Sequence, residues 1–147
     1  MIIWLTGNTG SGKTVLAKEM FQQMASDTVL LDGDDMRTVW TDLGLSKIDR
    51  YQNNFRIARL ARIIDRQKHD VIVSVIAPYK DLREAIQKIL PEVQWIYVMR
   101  EIDKIPNPEK PYEMPDLTTV KDVVFPESQT LSEEVETVMR AVEYFDG

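Results

Sequence analysis

The sequence predicts an α/β fold, a three-layer sandwich in which a parallel sheet is covered by helices on both faces. Two observations carry that prediction. Short runs of Val, Ile and Leu without polar alternation recur along the chain, as expected for strands buried on both sides. Segments with apolar residues at helical spacing separate them, which is the order that winds a parallel sheet. The 147 residues are the length of one domain, and a domain of that size buries roughly two-thirds of its unfolded surface without staples.

Ile2 to Thr6 reads as a buried strand, followed by a glycine-rich turn and a helix from Lys13 to about Ala25. Thr28 to Leu31 is a second strand ending at Asp32, and Asp34 to about Trp40 is a short helix. A longer helix is expected from about Asp49 to Lys68, where Ile57, Leu60, Ala61 and Ile64 share one face at i, i+3, i+4 and i+7. Val71 to Ile76 is a continuous apolar strand. Asp81 to Leu90 is a helix closed by Pro91, and Gln94 to Met99 is the fourth strand. Leu131 to Phe145 forms the terminal helix with Ser132 as its N-cap. Four of the seven prolines fall between Pro106 and Pro115, so no helix or central strand fits there. That stretch is expected to be an extended loop, and residues 101–115 a shortened lid or a connector within one domain spanning 1–147.

Composition removes several function classes. The absence of cysteine excludes a disulfide scaffold, a thiolate nucleophile and a Cys-ligated zinc site, and the single histidine argues against a His cluster. Acids outnumber bases by 24 to 18, a net charge of −6, which speaks against extended nucleic acid or anionic membrane as partners. A local basic pocket for a small anionic, nucleotide-like substrate remains compatible with that balance. The apolar run at Met1 to Leu5 is too short for a signal-peptide core and lacks a basic leader. The expectation is a cytoplasmic protein, a monomer or homodimer.

Gly7-Asn8-Thr9-Gly10-Ser11-Gly12-Lys13-Thr14 matches G-x-x-x-x-G-K-S/T at every fixed position, between a strand and a helix. Glycines let backbone N–H groups converge on a phosphate, and the following helix aims its positive end at the same point. Lys13 then reaches the β- and γ-phosphates of ATP, and the Thr14 hydroxyl ligates Mg²⁺. The fold is therefore that of a P-loop NTPase. A GTPase is disfavoured because Asn-Lys-x-Asp is missing, and a motor ATPase because the strand Val71 to Ile76 ends in Ala77-Pro78-Tyr79 rather than an acid. Asp32-Gly33-Asp34-Asp35-Met36-Arg37 follows the second strand, on the rim where open parallel sheets bind ligands. One carboxylate there can hold Mg²⁺ while another deprotonates a hydroxyl, with Arg37 on an anionic substrate. A small-molecule kinase is the best class, and helix-capping acids are the alternative account of the cluster.

Several motifs together resemble the adenylylsulfate (APS) kinase family, whose members transfer the ATP γ-phosphate to the 3′-hydroxyl of APS, giving PAPS. Asp32 to Arg37 is similar to D-G-D-x-x-R. Leu43-Gly44-Leu45-Ser46 with Asp49-Arg50-Tyr51-Gln52-Asn53 and Arg56 resembles L-G-F-S-x-x-D-R-x-E-N-I-R-R. Ser74 to Tyr79 with Lys80 and Arg83 resembles V-S-x-I-S-P-Y-R-x-x-R, and Pro111 to Pro115 resembles P-Y-E-x-P. The resemblance implies that Gly7 to Thr14 hold ATP and Mg²⁺, that Asp34 is the base and that Asp32 lies near the metal. It further implies that Arg37, Arg50 and Asn53 clasp the phosphosulfate, and that Ile76, Ala77, Pro78 and Tyr79 line its pocket. A guanidinium pair suits an oxyanion on physical grounds as well, because the fork binds it bidentately and keeps its charge.

The departures bear on specificity. Leu45 stands where the family carries an adenine-stacking phenylalanine, and the basic lid that supplies a second one is shortened to Glu101 to Lys110. Each lost stack typically costs ~1–3 kcal/mol, unless Tyr51, Phe55 or Tyr112 substitutes. Ala77 replaces a serine, which removes any phosphoenzyme there, while Gln52 and Phe55 replace a glutamate and an arginine. Two other readings therefore stay open: a kinase of a different hydroxyl substrate (a nucleoside, sugar or modified nucleotide), and an ATP-binding regulatory module without turnover. Arg56, Arg59, Arg62 and Arg66 read as a solvated helix face, with a subset facing the cleft as the alternative.

Overall fold

A computed structural model describes residues 1–8, 10–99, 111–115, 121–124 and 129–144, with 121–124 as backbone alone. Five parallel strands form one sheet in the order β2-β3-β1-β4-β5: β1 (Ile2–Thr6), β2 (Val29–Asp32), β3 (Val71–Ser74), β4 (Gln94–Met99) and β5 (Lys121–Val124). The helices are α1 (Lys13–Gln23), α2 (Gly33–Val39), α3 (Lys47–Arg66), α4 (Lys80–Ile89) and α5 (Leu131–Ala141). Alternation along β1 divides the core. Ile2 and Trp4 face a cluster with Ile57, Ala58 and Ala61 of α3 and Leu82 and Ile86 of α4. Ile3 and Leu5 face the other side, against Leu16, Ala17 and Met20 of α1 and Val135, Val138 and Met139 of α5. Both sides of every central strand are thus covered, which is why these strands read as unbroken apolar runs.

The structure departs from the sequence reading at five places. The edge strand β5 was not legible, because Lys121-Asp122-Val123-Val124 is short and half polar. Strand β3 stops at Ser74 rather than Ile76. Beyond it, side chains take over the ladder's role: Trp4 Nε1 donates to the Val75 carbonyl at 3.2 Å and Thr6 Oγ1 to that of Ile76 at 2.5 Å. Helix α3 begins at Lys47 because Ser46 accepts the Asp49 N–H at 3.2 Å, an N-cap two residues earlier than expected. The N-cap of α5 is Thr130, not Ser132. Thr130 Oγ1 accepts the Glu133 N–H, and the Glu133 carboxylate accepts from the Thr130 N–H. That reciprocal pair requires a carboxylate three residues on, and Ser132 has Val135 there. Helix α5 ends at Ala141, with Val142 as C-cap and Glu143 at φ 56° turning the chain, short of the expected Phe145; the loop residues 101–110 lie outside the described residues.

Among the described residues no helix is long and apolar enough to cross a membrane.

Candidate active site

At the carboxyl ends of β1, β2 and β3, a cavity of about 150 Å³ is lined by Gly10, Lys13, Thr14, Asp32, Gly33, Asp34, Arg37, Arg50, Asn54 and residues 74–78. The phosphate loop forms one side. Gly12, with φ 94°, turns the chain into α1, and Gly7 packs so closely that a Cβ would lie 2.4 Å from the Val98 carbonyl oxygen. Lys13 is buried, and its Nζ donates to the Asn8 carbonyl at 2.9 Å and to Ser11 Oγ at 3.4 Å. Thr9 lies outside the described residues. Thr14 is exposed in the first turn of α1.

The acidic turn forms the second side. Asp32 is buried at the end of β2, and its Oδ1 accepts the Asp34 N–H at 3.3 Å, so it caps α2. Desolvation raises its pKa above the ordinary carboxylate value, with Asp34 and Asp35 adding repulsion and the Asp34 N–H opposing. Asp34 is 93% exposed at the mouth and accepts from Arg37 Nη1 at 3.0 Å. Thr14 and Asp32 therefore offer a hydroxyl and a carboxylate to one cavity from two of its sides. This donor set suits Mg²⁺, which binds through one or two protein oxygens plus substrate phosphates.

The third side comes from α3 and the β3–α4 loop. Arg50 lines the cavity, with its Nε donating to the Leu45 carbonyl at 3.0 Å. Asn53 does not line it. Asn53 is fully buried, its Oδ1 accepts from Trp40 Nε1 at 2.7 Å, and its Nδ2 lies 3.5 Å from the Gly33 carbonyl. It fastens α3 to α2, and the neighbouring Asn54 reaches the cavity instead. Ile76, Ala77 and Pro78 line the wall as expected, but Tyr79 does not. Its ring stacks on Tyr51 at 5.6 Å under Lys47 Nζ, which sits 4.5 Å from the ring centre. The left-handed turn at Ala77 (φ 46°) redirects the chain there.

None of the proposed aromatic substitutes lines the cavity. Tyr112 stacks on Tyr97 at 5.5 Å and its hydroxyl lies 2.6 Å from Thr6 Oγ1. Burial pushes its pKa up to about 12. Tyr51 donates to Asp81 at 2.7 Å, Phe55 packs edge-on to it at 6.3 Å, and Leu45 is 66% exposed. The arginine ridge also points elsewhere. Arg56 forms a two-point pair with Asp42 at 2.8 Å, and Arg59 lies over Phe55. Arg62 and Arg66 line a wider groove of about 800 Å³ at the opposite rim, away from the phosphate loop. His69 sits by the Asp27 carbonyl at 3.0 Å, outside the cavity.

The sequence reading missed a clamp behind this wall. Arg83, 6% exposed, donates to the Ala77 carbonyl at 2.7 Å and to the Glu113 carbonyl at 2.6 Å. The Glu113 N–H donates to the Pro78 carbonyl at 2.8 Å, and Glu113 Oε1 accepts from the Lys80 N–H. A charged residue between the buried Leu82 and Ile86 of α4 was the available signal.

The model of the adenylylsulphate kinase family matches residues 1–110. The chain is 36% identical over 105 residues to the probable adenylyl-sulfate kinase of Pyrococcus abyssi, covering 69% of this chain and 60% of that one. It is 33% identical over 131 residues to the adenylyl-sulfate kinase of Buchnera aphidicola subsp. Schizaphis graminum, covering 84% and 62%. The chain thus spans about three-fifths of the length of these curated relatives. The Mycobacterium tuberculosis APS kinase solved with AMPPNP and APS shares the fold, with a TM-score of 0.80 at 21% identity over 97% of this chain and 96% of that one.

Proposed function

The chain belongs to the adenylylsulfate kinase family, and from that membership we propose that it transfers the γ-phosphate of ATP to the 3′-hydroxyl of adenylyl sulfate. The observation that carries the reading is convergence: phosphate loop, acidic turn and two arginines from separate elements line one cavity. In this reading the loop's N–H groups and Lys13 hold the β- and γ-phosphates. Thr14 and Asp32 would hold Mg²⁺, which neutralises phosphate charge when bound. Arg37 and Arg50 engage the phosphosulfate, drawing Arg37 off Asp34. The freed Asp34 carboxylate takes the proton of the acceptor hydroxyl as its oxygen bonds to the γ-phosphorus and ADP departs.

The test is ADP release from ATP·Mg²⁺ with and without adenylyl sulfate. Turnover that depends on micromolar adenylyl sulfate is expected. If ATP binds by calorimetry yet adenylyl sulfate gives no turnover, the acceptor is a different hydroxyl compound. One observation favours that second reading: no aromatic side chain lines the cavity among the described residues.

A further inference from the structure

Four buried side-chain polar atoms lack a hydrogen-bond partner among the described residues, and three of them belong to residues lining this one cavity: Arg37 Nε, Asn54 Oδ1 and Ser74 Oγ. Asn54 is 2% exposed and Ser74 is 5% exposed. Buried polar groups are almost always paired, so unmet demand gathered in one place marks where a ligand supplies the missing partner. The chemistry of each atom specifies that partner. The Asn54 amide nitrogen already donates to the Arg50 carbonyl at 2.8 Å, which fixes the ring of roles: its Oδ1 is left as a pure acceptor. An acceptor cannot be satisfied by an oxygen of sulfate or of a fully ionised phosphate ester, which carries no hydrogen. It requires a hydroxyl or an amine N–H on the occupant. Arg37 Nε requires the opposite, an acceptor, and Ser74 Oγ takes either.

We infer that Asn54, assisted by Ser74, is a specificity-determining residue that accepts a hydrogen bond from a hydroxyl of the acceptor substrate, beside the oxyanion engaged by Arg37 and Arg50. The selected class is a hydroxylated organic phosphate or sulfate ester, and a bare oxyanion leaves Asn54 unsatisfied. The three atoms are closed off from bulk water. Arg37 is held by Asp34 at the mouth and Arg50 by the Leu45 carbonyl, contacts an incoming oxyanion replaces. This inference rests on the kinase reading for the site's acceptor side, and it does not depend on adenylyl sulfate being the acceptor.

The experiment fills the phosphate loop with AMPPNP·Mg²⁺ and measures thermal shifts with methyl phosphate and with ribose 5-phosphate, at a mildly alkaline pH where both esters are dianions without a P–OH, so that ribose 5-phosphate adds sugar hydroxyls to the same anion. The wild type is expected to gain more from ribose 5-phosphate. Asn54→Leu is expected to lose that difference, keep the methyl phosphate shift, and melt without ligand no lower than the wild type, since an unsatisfied acceptor has been removed. With adenylyl sulfate as acceptor, the same variant raises KM about tenfold with kcat little changed. Ser74→Ala carries the comparison if Asn54→Leu does not fold. Equal shifts from both probes in the wild type, or a difference that survives both substitutions, overturns the inference. A sugar-dependent difference without adenylyl sulfate turnover overturns the adenylyl sulfate reading and leaves the role of Asn54 standing.

Discussion

Two backbone events place Asp34 at the mouth of the cavity. Strand β2 delivers it to the carboxyl rim, and Asp32 accepts its N–H, turning the chain into α2 with the Asp34 side chain facing out. Its ion pair with Arg37 is exposed and so contributes little to stability. Asp34→Asn keeps the shape and removes the proposed base. The expected result is a fall of about 10²–10⁴ in kcat with ATP affinity and melting temperature unchanged. Unaltered turnover would remove Asp34 from the chemistry. At Gly7 the constraint is steric, because a methyl group there meets the Val98 carbonyl oxygen at 2.4 Å and backbone must move. Gly7→Ala is therefore expected to weaken ATP binding in calorimetry, and retained affinity would show that the loop tolerates the shift.

The β3–α4 loop is the element whose position depends most on distant residues. Its carbonyls at Val75, Ile76, Ala77 and Pro78 are taken by Trp4 and Thr6 of β1, Arg83 of α4 and Glu113, four groups from three separate segments. Arg83 is the central member, joining the loop to residues 111–115 with its guanidinium 5.1 Å from the Tyr112 ring centre. Arg83→Met preserves bulk and leaves the buried Ala77 carbonyl unpaired, at a cost of about 1–3 kcal/mol, and frees the part-buried Glu113 carbonyl. A lower melting temperature and a raised acceptor KM are expected together, and a change in neither would show that the loop holds its shape alone. Tyr112 in the same segment sets a pH limit. Its folded pKa, about 12 against the ordinary 10, lies above the unfolded one. Its contribution is complete below pH 10 and is lost as pH rises toward 12. The free energy of unfolding is expected to fall more steeply across that window for the wild type than for Tyr112→Phe, and identical slopes would place the titration elsewhere.

For the whole molecule, the sheet links core and cavity mechanically. Trp4 is fully buried on one face, lies 5.2 Å from Trp95, and donates to Val75 at the cavity wall. Trp4→Ala opens a void in the larger core cluster and is expected to cost about 3–5 kcal/mol in denaturant unfolding. Trp4→Phe loses chiefly the hydrogen bond, about 0.5–1.5 kcal/mol. Equal losses in the two variants would mean that packing is not what Trp4 supplies.

The sequence alone determined the parallel sandwich, four of the five strands and all five helices among the described residues, and the phosphate loop with its acidic neighbour, because these depend on local pattern. Apolar runs mark strands buried on both faces, helical spacing marks amphipathic faces, and the loop's glycines sit where the backbone must turn. The acidic segment itself pointed to Arg37, and family resemblance added Arg50 and residues 76–78, all of which the fold brings to the cavity wall. Which of Asn53 and Asn54 meets the cavity was decided only by tertiary structure. Adjacent helical positions differ by about 100° in direction, and the packing of α3 against α2 through Trp40 set which one turned inward. The same holds for β5, whose polar sequence becomes a strand through pairing with β4, and for Tyr79, which the turn at Ala77 sends to Tyr51. These outcomes depend on contacts between residues far apart in the chain, and no local pattern encodes them.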